Sequence, residues 1–170
     1  MKGIYYTAVC ILLMAAHQAC NQVSPEKYIA VTALNSNLVS TAYRPMFFTE
    51  LIALKGDGRL TGSAKEYVME RAVKPVQKAI GKVDGLRKTD DAKELIATAK
   101  EVMEYGQQIF ETDYLAIAQL IDTGKPEEEI HAAIAKMYED TEETLFQKFD
   151  KLDQLAIAYA KKHNISFSVR

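Results

Sequence analysis

Tryptophan is absent from the 170 residues, and the chain has only two cysteines, four prolines and eight glycines. So few turn-forming residues argue against a loop-rich all-β fold. No block of basic residues occurs, and 21 Lys plus Arg stand against 23 Asp plus Glu, a formal charge of −2. That argues against a nucleic-acid binder working by phosphate neutralisation. Present instead are 48% hydrophobic and 26% charged residues in 19.0 kDa, the balance and size of one ordinary globular domain. The pattern divides as residues 1–20 and a single domain over 21–170.

Residues 1–20 differ in character from everything after them. Lys2 supplies one positive charge, Ile4 to Ala16 is an uncharged apolar run, and His17-Gln18-Ala19-Cys20 follows. At ~1.5 Å per residue that run spans about 20 Å, short of a ~30 Å bilayer core. A charge, a short apolar core and small residues before a junction are the parts of a secretory signal peptide.

With Cys20 at the junction and Ala19 before it, the segment resembles a bacterial lipoprotein precursor. His17 departs from that pattern, which usually has Leu there. The resemblance covers only these first residues. It implies lipid on Cys20 and tethering of the domain to a membrane on the periplasmic side, with ordinary cleavage and soluble secretion as the alternative. The other cysteine, Cys10, lies inside the apolar core of the segment. The remainder therefore has no disulfide and no cysteine for zinc, iron–sulfur or covalent haem. Removing Lys2 leaves 20 basic against 23 acidic residues, a charge of −3.

The body reads as four helices, over about 25–54, 63–86, 90–123 and 126–163. Ser24-Pro25-Glu26 offers a capping hydroxyl, a proline at the first helical position and an acid at the positive end of the dipole. Val31, Leu34, Leu38, Ala42, Pro45, Phe48 and Ile52 then recur at steps of three or four, with a kink or split predicted near Pro45. Ser63-Ala64-Lys65-Glu66 is a capping box opening the second helix, in which Pro75 predicts another bend. Thr89-Asp90-Asp91 caps the third, whose stripe runs from Ile96 to Ile121 and stops at Gly124-Lys125-Pro126. The fourth opens on Glu127, Glu128 and Glu129 and closes on Lys161, Lys162 and His163, with Asn164 suited to a left-handed cap. This predicts an all-α, up-down-up-down four-helix bundle with kinks near Pro45 and Pro75 and a short extended C-terminal tail.

Chemistry-bearing constellations are weak. Glu128 and His131 have the Glu-x-x-His spacing of a di-iron bundle, but the only other histidine of the body, His163, has Ala160 three residues earlier. Met46, Met69, Met103 and Met137 lie in or beside apolar stripes as ordinary filler, which leaves no strong haem ligand set. Gly-x-Ser-x-Gly, His-Glu-x-x-His and phosphate-cradling loops are absent, and Gly56-Asp57-Gly58 reads as a turn. The reading is non-enzymatic, with no metal or other cofactor assigned.

Two surface features remain. Residues 46–54 are apolar almost all round, so Phe47, Phe48 and Leu51 are candidate contacts on a partner-binding knuckle, or else a helix pinned among its neighbours. Glu139, Glu142 and Glu143, with Asp140, Asp150 and Asp153, make the outer face of the fourth helix acidic, a solvated face or a steering surface for a basic protein. The expected function is a lipid-anchored envelope module that binds another protein, such as an immunity protein or inhibitor or an accessory assembly protein. The alternatives are a carrier of haem, metal or a small apolar ligand within the bundle, and a purely structural lipoprotein.

Overall fold

Every regular element in the computed structural model, which describes residues 23–168, is a helix. Five helices follow in order: α1 (25–42), α2 (Met46–Gly56), α3 (64–84), α4 (93–122) and α5 (Glu127–Lys162). The expected count of four is corrected by Pro45. Proline has no N–H to donate, and its ring disfavours helical backbone in the residue before it. The chain leaves helix at Tyr43 (ψ 74°) and restarts as α2. The expected kink is a full break.

Start and stop chemistry sets the other boundaries. Both halves of the capping box open α3: Glu66 N–H donates to Ser63 Oγ at 3.1 Å and Ser63 N–H to Glu66 Oε2 at 2.8 Å. Asp122, from the end of α4, accepts from the Ala64 and Lys65 amides at 2.8 and 3.2 Å and pairs with Lys55 of α2 at 3.3 Å. One carboxylate thus ties three helices together. The Ser24 hydroxyl makes no cap bond to α1, where Pro25 and Glu26 serve instead. Helices α2, α4 and α5 end alike: Arg59, Lys125 and Ile165 amides reach back to Leu54, Leu120 and Ala160 carbonyls at 3.0, 3.0 and 2.8 Å. That bond requires a left-handed residue just before it, supplied by Gly58 (φ +67°), Gly124 (φ +67°) and Asn164 (φ +55°).

Three helices contain a π turn: Ala30–Leu34 in α1, Met69–Val73 in α3 and Phe110–Tyr114 in α4. The π turn in α3 lies just ahead of Pro75, where the wider turn accommodates the proline ring and its missing donor. The π turn in α4 ends at Tyr114, which is fully buried and donates its hydroxyl to Ala42 O at 3.0 Å. That carbonyl lies in the last turn of α1, where no helical amide follows once Pro45 has broken the chain.

Contacts between ends give the packing. The start of α3 packs on the end of α4 and the end of α3 on the start of α4, so the two run antiparallel. Tyr28 lies 5.9 Å ring to ring from Tyr159, and Tyr43 Oη is 2.9 Å from Thr141 Oγ1, so α1 runs antiparallel to α5. Helices α1 and α4 approach closely where Gly106 faces Val39, both buried. Helix α2 inserts Phe47, Phe48 and Leu51 into the core, Phe48 lying 4.5 Å from the Tyr114 ring and Phe47 5.5 Å from Tyr67.

In the tail, Ile165 and Phe167 are half-buried against the core while Ser166 and Ser168 are exposed. This is the alternation of an extended segment packed on helices. Among the described residues no helix is long and apolar enough to cross a membrane.

Candidate functional site

Helix α1 is built against its own composition. The expected stripe through Val31, Leu34 and Leu38 is not the core side: Leu34 is 51% and Leu38 38% exposed, whereas Thr32 and Ser36 are fully buried. The buried hydroxyls are satisfied locally, Thr32 Oγ1 donating to Tyr28 O at 2.6 Å and Ser36 Oγ to Thr32 O at 3.0 Å. Two features account for this. The π turn Ala30–Leu34 inserts a residue into the helical count and shifts the following face. The tight approach of α1 to α4 at Val39 and Gly106 admits only small side chains between them. The large leucines are left facing outward.

Opposite Leu34, Phe146 of α5 is 51% exposed, with Phe149 half-buried beside it. The two helices form the walls of an apolar groove of about 370 Å³, lined by Ala33, Leu34, Asn37 and Ser40 on α1 and by Phe146, Phe149 and Asp153 on α5. The tail closes one side with Phe167 and Ser168. Further along α5, Ile157 is 44% exposed. Residues 139, 146 and 157 are separated by 7 and 11 positions, about two and three helical turns, so Glu139, Phe146 and Ile157 share one line of the helix surface. Glu142, Glu143 and Asp150 flank that line and are exposed.

The predicted site residues therefore separate. Phe47, Phe48 and Leu51 are 5%, 1% and 0% exposed, and the knuckle they were expected to form is core. They are pinned by Tyr67 and Tyr114, so no partner reaches them without displacing α2. Glu139, Glu142 and Glu143 are on the surface, beside the groove. Cys20 lies outside the described residues. Leu34, Phe146 and Phe167 were not singled out from the sequence. Phe146 left a signal there, a large aromatic residue off the apolar stripe that runs through Leu145, Phe149 and Leu152.

A second cleft, of about 360 Å³, lies among the start of α1, the loop before α4 and the end of α5, between Pro25, Tyr28, Arg87, Thr89, Asp91, Tyr159 and His163. Here His163 Nε2 is 2.8 Å from Asp91 Oδ2, with Lys162 Nζ at 3.6 Å, and the imidazole stacks on Tyr159 at 4.3 Å. The Thr89 hydroxyl and then His163 hold the Asp91 carboxyl down at about 2. Tyr28 Oη donates to Arg87 O at 2.8 Å across the same cleft. The cluster clasps the end of α5 to the loop before α4.

Among the described residues no three His, Cys, Asp or Glu side chains converge on a metal-sized site. His131 is exposed near the start of α5, far along that helix from His163. Met103 and Met137 are core, Met69 half-buried and Met46 exposed. Comparison of the chain with protein-family models, curated proteins and solved structures finds no match.

Proposed function

We propose that this protein is an exported, lipid-anchored helical module that works by binding another protein, without catalysis. In this reading the four longer helices, α1, α3, α4 and α5, form an up-down-up-down bundle with α2 laid across one end. The groove between α1 and α5 is the contact surface. Lipid on Cys20 holds the module at a membrane in the bacterial envelope, where it blocks or scaffolds its partner.

One observation carries the binding reading. Helix α1 turns leucines outward and hydroxyls inward, opposite to what burial alone rewards. An outward apolar face maintained at that cost serves contact with something outside the fold. The groove is also the size of a small-ligand pocket, which keeps an apolar carrier as the second reading.

The test is a native mass spectrum of the protein purified gently from its own host's membranes. The proposal expects added lipid mass on the fragment that begins at Cys20 and a stoichiometric second polypeptide. A bound small molecule in place of the polypeptide establishes the carrier. A bare chain without lipid refutes both anchor and partner.

A further inference from the structure

We propose that the groove between α1 and α5 takes a basic amphipathic helix of the partner, which seats its apolar residues on Leu34, Phe146 and Phe149 and its lysines or arginines over the acids of α5. This rests on the protein-binding reading and names the chemistry of the partner. Three observations carry it.

The first is charge. On the α5 wall the line through Phe146 is bordered by Glu139, Glu142, Glu143 and Asp150, none of them in an ion pair among the described residues. Two lysines of this helix pair elsewhere: Lys136 with Asp140 at 2.8 Å, and Lys148 with Glu101 on α4 at 3.9 Å. The α1 wall opposite, over 34–41, carries no charge of either sign. A groove with apolar walls and acids on one border is complementary to a helix with apolar and basic faces.

The second is geometry. Leu34 and Asn37 stand about one turn apart on the α1 wall, and Phe146, Phe149 and Asp153 run over about two turns of the α5 wall. This makes two roughly parallel ridges with a furrow between them, the shape that accepts the side-chain row of a third helix. An extended partner is the poorer fit, because the described residues hold no strand and so no sheet edge to pair its backbone.

The third is the present occupant. The tail places a phenylalanine, Phe167, at the edge of this furrow through a short extended segment, and leaves it only half-buried. The furrow thus accepts an aromatic side chain, on a segment short enough to be displaced.

The probe is a synthetic 18-residue helix with leucines at positions i, i+4, i+7 and i+11 and lysines elsewhere. Its twin has glutamate for every lysine. Each is titrated by fluorescence anisotropy against the full chain and against Phe146→Asp, Leu34→Asn and Phe167→Ser, every variant checked for unchanged helical circular dichroism. The lysine peptide is expected to bind, the glutamate twin about ten-fold more weakly or not at all, with an affinity that falls as salt rises. Phe146→Asp and Leu34→Asn each weaken binding about ten-fold, and Phe167→Ser strengthens it. Leu34 supplies the decisive variant if Phe146→Asp misfolds.

Failure of the lysine peptide to bind overturns the proposal, as does equal affinity for the two peptides or indifference to both groove variants. Phe146-dependent binding of phosphatidylglycerol vesicles, with no binding of the lysine peptide, also overturns it and makes the groove a membrane contact. A second polypeptide in the native mass spectrum together with a failed lysine peptide leaves the protein-binding reading intact and removes only this one.

Discussion

Replacing Gly106 by alanine sets two effects against each other, and the structure decides the sign. Alanine is the better helix former by about 1 kcal/mol in a helix interior, so from the sequence alone the change stabilises α4. The approach of α1 says otherwise. A methyl group on Gly106 would lie 2.4 and 2.9 Å from the two Cγ atoms of Val39, where carbons in contact prefer about 3.5–4.0 Å.

Val39 is fully buried, with no open space to rotate into, so relief requires α1 and α4 to separate by about an ångström. Overpacking of this kind costs about 1–3 kcal/mol, which leaves a net loss of up to about 2 kcal/mol after the helix gain. In a chain of this length that lowers Tm by up to about 4–8 °C. Thermal melts followed by circular dichroism read it directly. Val39→Ala opens the missing space, so the double variant should lie about 1 kcal/mol above the sum of the two single changes. A higher Tm for Gly106→Ala, or strict additivity in the double variant, refutes the close approach and with it the account of why α1 turns its leucines outward.

The remaining predictions concern the ties between helices. Asp122→Ala leaves the Ala64 and Lys65 amides of α3 without their carboxylate acceptor, although the capping box stays, and should cost about 1 kcal/mol at neutral pH. Burial alone would raise this carboxyl, but the Ala64 and Lys65 amides and Lys55 more than offset it and hold it below the ordinary range. Its contribution is therefore present above the unfolded value near ~4 and lost as pH falls through the lower folded value. Melts at stepped pH should show the variant flatter than wild type on acidification, and parallel curves contradict the assignment. Tyr114→Phe removes one of the two donors to Ala42 O, leaving the Arg44 amide at 3.0 Å, and should cost about 1 kcal/mol in urea unfolding, with no loss of helix in the folded baseline.

Burial pushes the Tyr43 and Tyr159 phenols up to about 12 and raises Tyr114 and Tyr138 as well. Stability from Tyr43 and Tyr159 is complete below the ordinary tyrosine value near ~10 and lost as pH rises through about 12. Their tyrosinate absorbance should appear together with loss of helical signal. Titration of every tyrosine near ~10 with the helices intact contradicts it.

Local chemistry was legible in the sequence. The capping box at Ser63 and Glu66, the stops at Gly58 and Gly124, the acids opening α5 and the left-handed Asn164 all act within a few residues of themselves. The break at Pro45 was foreseeable for the same reason, although its completion into a separate α2 depended on the aromatic cluster that receives Phe47 and Phe48. What the sequence hid is non-local. Periodicity marks the apolar side of α1 but not how near its neighbour comes. Gly106, 67 positions beyond Val39, is where α4 meets α1, on a helix that buries Thr32 and Ser36 and leaves Leu34 and Leu38 exposed. A glycine in a helix stripe reads as a weak position, whereas here it is a contact. The pairing of His163 with Asp91 was equally out of reach, because it joins residues 72 positions apart through turns with no motif of their own.

The central claim, that this protein meets a partner through the groove between α1 and α5, is tested most directly by photo-crosslinking in the host's own cells. A photoreactive amino acid replaces Phe146 in the groove wall, and in a second strain exposed Lys78 on α3, away from it. The account predicts one discrete crosslinked species from position 146 that is absent from position 78 and lost when Leu34 is also changed to aspartate. Equal crosslinking from both positions, or from position 78 alone, contradicts it.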